Sequence, residues 1–172
     1  MAVGWLISSA QGMDMAKTIT IRFMRKNDNS LTDSPEFGTR PVIPVTIRPS
    51  SPEDHAKDIG GKTKQVFALI DTGADDFYVD EALVEELTLP IKKESEPATV
   101  ISGLNNEKTT IHHGIIHLID TDIECGITMH KIITSKLGLG YQIILGMDLI
   151  RRGTLVLDPV NQIYTLTLPD VI

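Results

Sequence analysis

The sequence predicts a mainly β fold, and three observations carry the prediction. Short runs rich in β-branched and aromatic residues recur along the chain, each bounded by Gly, Pro, Asn or Asp. Only two segments have a helical pattern, and both are short. At 172 residues, 41% of them hydrophobic, the chain suits one domain with an ordinary core.

The N-terminal residues 1–17 read as a flexible extension: Val3, Trp5, Leu6 and Ile7 make a short apolar stretch with no Lys or Arg ahead of it, and Met13 or Met15 could serve as the start. The folded domain is expected over 18–172. Its first strand is Thr18–Met24, followed by a turn at Asn27–Ser30 and a polar loop to Arg40. Val42–Ile47 is the next strand, which Pro44 pushes toward a sheet edge or a bulge. Pro49–Lys64 reads as a long solvated loop.

Val66-Phe67-Ala68-Leu69-Ile70 is a buried strand that runs straight into Asp71-Thr72-Gly73. A carboxylate emerging from apolar surroundings must find partners or hold a proton, so Asp71 is either a satisfied structural acid or a catalytic one. Asp80 caps a helix of about two turns whose Leu83, Val84 and Leu87 share a face, and Pro90 stops it. Ala98–Ile101 and Thr109–Ile111 flank a hairpin tip at 102–108. Strands follow at Gly114–Ile119 and Cys125–Thr134 around a turn at Asp120–Asp122. Adjacent strand residues face opposite ways, so His112 and His113 do not converge on one ion, and His117 and His130 read as ordinary sheet histidines. Tyr141–Leu145 is a buried strand that meets Gly146 and turns into a short helix ended by Gly153 at its C′ position. Thr154–Pro159 and Gln162–Leu168 form a last hairpin around Val160-Asn161.

Charge and cysteine usage narrow the function classes. A net charge of −7 and a pI near 5.1, with no basic cluster, argue against nucleic-acid binding. No apolar run approaches the roughly 20 residues that span a bilayer, so no membrane partner is expected. The single Cys125 has no internal disulfide partner and no metal-ligand spacing around it, which fits a cytoplasmic protein with no metal site.

Two stretches carry a family resemblance. Ala68-Leu69-Ile70-Asp71-Thr72-Gly73-Ala74-Asp75-Asp76 resembles the active-site segment of the retropepsins, the aspartic proteases of retroviruses and their cellular and bacterial relatives. Ile143-Ile144-Leu145-Gly146-Met147-Asp148-Leu149-Ile150 is similar to that family's second signature, whose strand passes under the catalytic loop. The resemblance spans roughly Val42 to Leu168. It implies a retropepsin-like acid protease fold, a closed β-barrel-like single lobe with one or two short helices, acting as a homodimer. It implies that Asp71 supplies half of a catalytic carboxylate pair, that the Thr72 hydroxyl grips the partner's loop, and that Gly73 lets two backbones approach. Ala74, Asp75 and Asp76 would line the cleft for a polypeptide substrate. Ser102, Gly103 and Leu104 would form the tip of a mobile flap, with Leu104 and Ile144 as pocket walls.

The chain departs from the viral pattern at Met147, where the viral enzymes carry an arginine that pairs with the acid corresponding to Asp75. Arg151 and Arg152 are nearby in sequence but read as solvated helix-end cations. The implied activity is that of an aspartic endopeptidase, with no metal or organic cofactor. The competing class is a catalytically silent dimerisation or peptide-binding module of the same fold, and a third reading is a protease that processes only its own precursor. Two acids close together cannot both ionise cheaply and so share one proton, and this sequence holds one Asp-Thr-Gly. Two identical protomers are therefore expected to contribute one Asp71 each.

Overall fold

The structure is a computed structural model and describes residues 16–54, 57–94 and 109–169. The described strands are β1 (Lys17–Thr20), β2 (Arg22–Arg25), β3 (Leu31–Thr32), β4 (Thr39–Pro49), β5 (Lys64–Ile70), β6 (Phe77–Asp80), β7 (Ile91–Glu94), β8 (Thr110–Leu118), β9 (Glu124–Ile132), β10 (Ile143–Leu145), β11 (Thr154–Asp158) and β12 (Ile163–Leu168). Two short helices accompany them, α1 (Glu81–Leu87) and α2 (Met147–Ile150), with a 3-10 turn at Ser135–Leu137.

Six strands close into a barrel. β4 pairs with β5, β5 with β10, β10 with β6, β6 with β9 and β9 with β8. β8 then returns to β4 through the pairs Val45↔Leu118 to Pro49↔Gly114. Closure satisfies the backbone groups that an open edge would expose. β2 and β3 extend from the first half of β4, β7 extends from β8, and β1, β12 and β11 form a separate three-stranded sheet.

The strand expected over Thr18–Met24 divides at Ile21, whose N–H donates to the Tyr164 carbonyl (2.9 Å). β1 thereby joins β12 while β2 joins β4. β4 is not the edge strand that Pro44 suggests, because it is paired on both sides. Pro44 stands where β4 changes partner, between the last β2 pair at Val42 and the first β8 pair at Val45. Its β5 partner Phe67 turns its carbonyl away to accept from Gln142 (3.1 Å), so no ladder bond requires the N–H that proline lacks. β3 and β7 were not expected from the sequence. The Thr109–Ile111 and Gly114–Ile119 runs are joined in the single strand β8. The expected hairpin tip and its Ala98–Ile101 arm lie outside the described residues, as do 1–15 of the expected extension.

Alternation along three neighbouring strands sorts the core. Ile43, Val45 and Ile47 of β4, Val66, Ala68 and Ile70 of β5, and Ile143 and Leu145 of β10 belong to the main core. Val42, Leu69 and Tyr141 face the other way and bury a smaller cluster with Met24, against which Phe67 and Ile144 pack. α1 covers the main core with Leu83, Val84 and Leu87, as its period predicts.

Two expected caps are not caps. Asp80 occupies the N-cap position of α1 but makes no capping bond. Its buried Oδ1 accepts the N–H groups of Thr134 (2.8 Å) and Ser135 (3.1 Å) and the Ser135 hydroxyl (3.3 Å), tying down the turn that leads into β10. Gly153 does not end α2 in a left-handed conformation. Glycine is required there by the Thr167 carbonyl, which would lie 2.1 Å from a Cβ.

Candidate active site

Asp71 emerges from β5 one step beyond the pair Leu145↔Ile70, and its N–H donates to the Leu145 carbonyl (3.1 Å), so strand geometry carries the acid out of the core. Its side chain is half-buried. The Gly73 N–H donates to Asp71 Oδ1 (2.8 Å), and the Ala74 N–H to the Asp71 carbonyl (3.3 Å). One carboxylate oxygen is thus fixed by the backbone, and among the described residues Oδ2 accepts no hydrogen bond. A Cβ on Gly73 would lie 3.2 Å from Oδ1, tighter than ordinary contact, so a side chain there would press on the fixed carboxylate oxygen. Thr72 is exposed.

The loop is held from beneath by the chain that follows β10. Met147 N–H donates to the Ala74 carbonyl (2.8 Å) and Asp148 N–H to the Asp75 carbonyl (2.9 Å). That approach demands a glycine at 146, since a Cβ would lie 2.3 Å from the Asp76 carbonyl oxygen and 2.6 Å from that of Ala74. The second sequence signature therefore sits directly against the first. β10 lies between β5 and β6, parallel to one and antiparallel to the other, so both ends of the acidic loop are paired to the same strand.

Asp75 and Asp76 are exposed and Ala74 is half-buried. With Met147 in the arginine position, no cation pairs with the Asp75 carboxylate among the described residues. Arg151 pairs with Asp148 instead, and Arg152 donates to the Asp148 carbonyl (2.9 Å). Ile144, in register with Leu69 and Tyr78, is half-buried on the outward face against the smaller apolar cluster. Ser102, Gly103 and Leu104 lie outside the described residues.

Side chains that the sequence did not single out complete the surroundings. Burial pushes the Tyr78 phenol up, and Asp76, Asp75 and Asp71 push it further, so all three carboxylates act on one ring. Burial likewise raises the Tyr141 phenol; the Arg40 guanidinium opposes this and Asp71 adds to it. Arg40 lies 5.5 Å from the Tyr141 ring centroid and donates to its hydroxyl. His130 on β9 reaches the loop as well, with Nε2 3.6 Å from Asp76 Oδ2. Only strand pairing brings it there, through Tyr78↔His130, so no local motif could have marked it.

His112 and His117 serve the sheet. His112 is buried, with Nδ1 2.9 Å from the Leu89 carbonyl and Nε2 2.7 Å from Thr110 Oγ1, and His117 Nε2 lies 2.7 Å from the Thr121 carbonyl. Among the described residues no group of three or more His, Cys, Asp and Glu stands close enough to hold a metal ion, and no helix is long and apolar enough to cross a membrane.

Comparison with known proteins gives the arrangement a context. The family model described as gag-polyprotein putative aspartyl protease matches residues 58–152, a span that contains both signatures. Among solved structures, a retropepsin-like aspartic protease from Rickettsia conorii aligns with a TM-score of 0.51 at 15% identity, over 90% of this chain and 94% of that one. The retroviral protease-like domain of Ddi1 from Leishmania major aligns with a TM-score of 0.39 at 15% identity, over 75% of this chain and 94% of that one. No curated protein sequence matches the chain. The Rickettsia likeness and the six-strand barrel make the fold retropepsin-like.

Proposed function

The chain belongs to the family of gag-polyprotein putative aspartyl proteases, and on that premise we propose that it is an aspartic endopeptidase whose catalytic centre is assembled from two protomers, each giving one Asp71. The observation that carries the reading is the anchoring of Asp71: Oδ1 held by the Gly73 N–H, on a loop whose carbonyls are gripped by Met147 and Asp148. Such a loop presents a carboxylate at a defined place and needs only its symmetry mate to make a pair.

Two facing carboxylates share one proton, and the pair titrates as a unit. The unprotonated Asp71 takes a proton from a bound water as that water attacks the peptide carbonyl. The protonated Asp71 hydrogen-bonds the carbonyl oxygen, and a proton then passes to the leaving nitrogen as the C–N bond breaks. The exposed Thr72 hydroxyl would reach the partner's loop. Ala74, Asp75 and Asp76 would hold an extended polypeptide through backbone contacts, as an added strand is held, with Ile144 as an apolar wall. The segment with Ser102, Gly103 and Leu104 at its tip would close over the peptide.

The test is a peptide-library cleavage assay on the wild type and on Asp71→Asn, with and without an aspartic protease inhibitor. Cleavage that the inhibitor blocks and the substitution abolishes, with the fold retained by circular dichroism, supports the reading. Equal turnover by the two proteins refutes it, and inertness of both leaves a silent peptide-binding module in its place.

A further inference from the structure

His130 stands against the acidic loop, and the proposed chemistry leaves it unused. It projects from β9 beside Tyr78 of β6 and Ile111 of β8. Its ring lies 5.6 Å from the Tyr78 ring, tilted by 35°. Nδ1 is buried and has no hydrogen-bond partner among the described residues, while Nε2 faces Asp76 Oδ2 at 3.6 Å. The polar contact of this imidazole is therefore directed at the acid three residues beyond Gly73.

The surrounding charges leave that contact undivided. On β9 itself Lys131 turns to Glu81 (3.2 Å). On β8 the side chains on the His130 face are those of its partner Ile111 and of the buried His113, while Thr110 and His112 point the other way and bond to each other. From the loop and β6 come Asp76, Asp75, Asp71 and the Tyr78 phenol on which those carboxylates act. The imidazole is confined, with 21% of its side chain exposed, whereas the Asp76 side chain is 52% exposed and within reach of a ligand.

Resting on the protease reading, we propose that His130 is a positioning residue that sets the affinity of the cleft for peptides with a basic side chain, by competing with that side chain for the Asp76 carboxylate. A neutral imidazole leaves Asp76 to a lysine or arginine of the peptide. A protonated one occupies the carboxylate, and the peptide cation loses its partner. Imidazole is the side chain suited to such an exchange, because its charge changes between pH 5 and 8 while carboxylates and lysines generally stay ionised. The exchange is one cation for another, so it moves binding and KM and leaves the bond-breaking step alone.

The experiment uses full-length Asp71→Asn protein, so that peptides bind without being cut, and reads fluorescence anisotropy at pH 8 and pH 5. The probes are labelled octapeptide pairs that differ by lysine or norleucine at each position in turn. At one or more positions the lysine peptide should bind about two- to fivefold more tightly at pH 8, the span of an exposed ion pair, and the advantage should vanish at pH 5. Adding His130→Gln should keep the advantage at both pH values, and adding Asp76→Asn should remove it at both. The proposal is overturned by the same pH dependence in the His130→Gln protein, by the absence of lysine preference at every position, or by the absence of binding. Wild-type cleavage is run alongside: cutting without lysine preference sinks only this proposal, whereas binding without cutting sinks the protease reading.

Discussion

Replacing Gly146 by alanine probes how the Asp71 loop is held. The added Cβ would lie 2.3 Å from the Asp76 carbonyl oxygen, against a floor of 3.0 Å in real contacts, so the oxygen must retreat by at least about 0.7 Å (3.0 minus 2.3). The hydrogen bonds from Met147 to Ala74 and from Asp148 to Asp75, at 2.8 and 2.9 Å, tie the loop to the segment that carries the new methyl, so they oppose the retreat. Overpacking of this kind costs about 1–3 kcal/mol. A displacement approaching 1 Å at a reacting group costs on the order of 10²-fold in rate. Urea denaturation of Gly146→Ala should show that loss of stability, and peptide hydrolysis should show a kcat/KM about 100-fold down. Gly60→Ala is the control: its φ of +75° makes alanine strained, yet nothing lies within 4 Å, and it stands in the β4–β5 loop at the opposite end of β5 from Asp71. It should cost about 1–2 kcal/mol without a matching loss of rate. Wild-type turnover and stability in Gly146→Ala would refute the buttressing argument.

Further outcomes follow from the buried groups. Burial pushes the Asp80 carboxyl up, but the hydrogen bonds from Ser135 and Thr134 outweigh it and hold it below its ordinary value of 3.8. Its stabilisation is therefore complete above pH 3.8 and is lost as pH falls through the lower folded-state value. Asp80→Asn should cost about 1–3 kcal/mol at pH 7 and distinctly less at pH 3 in urea titrations; an equal cost at both would contradict the assignment. Burial, helped by Lys131 and opposed by the Leu89 carbonyl, lowers the His112 imidazole below its ordinary 6.5. The unfolded chain then binds a proton that the folded chain refuses, so stability should decline as pH falls below 6.5, and His112→Asn should flatten that decline. Burial pushes the Cys125 thiol up to about 11. Iodoacetamide at pH 8 should therefore modify it slowly in the folded protein and quickly in urea, and fast labelling without denaturant would show the site to be open.

Much of this molecule was legible because its central signals are local. Val66–Ile70 reads as a buried strand and is one, and the acid after it emerges where strand geometry delivers it. Leu83, Val84 and Leu87 announce the buried face of α1 by their spacing alone. What failed to show depends on contacts distant in sequence. The break at Ile21 follows from Tyr164, some 140 residues further on, and Pro44 is tolerated in the barrel wall because β4 exchanges β2 for β8 at that point. Asp80 has the sequence position of a cap, yet the turn at Thr134 and Ser135 claims its carboxylate. Gly146 and Gly153 read as punctuation, whereas each is required by a backbone carbonyl that only the tertiary fold brings near. His130 and Tyr141 stand near the candidate site for the same non-local reason.

The account depends on two copies of Asp71 acting in one centre, and mixing protomers tests that most directly. Wild-type and Asp71→Asn chains are unfolded together, refolded in equal amounts and assayed at constant total protein. Random pairing leaves about a quarter of the dimers with two aspartates, so activity should fall to about a quarter of the all-wild-type value. A fall to about half, the response of chains that each act alone, would contradict the shared catalytic pair.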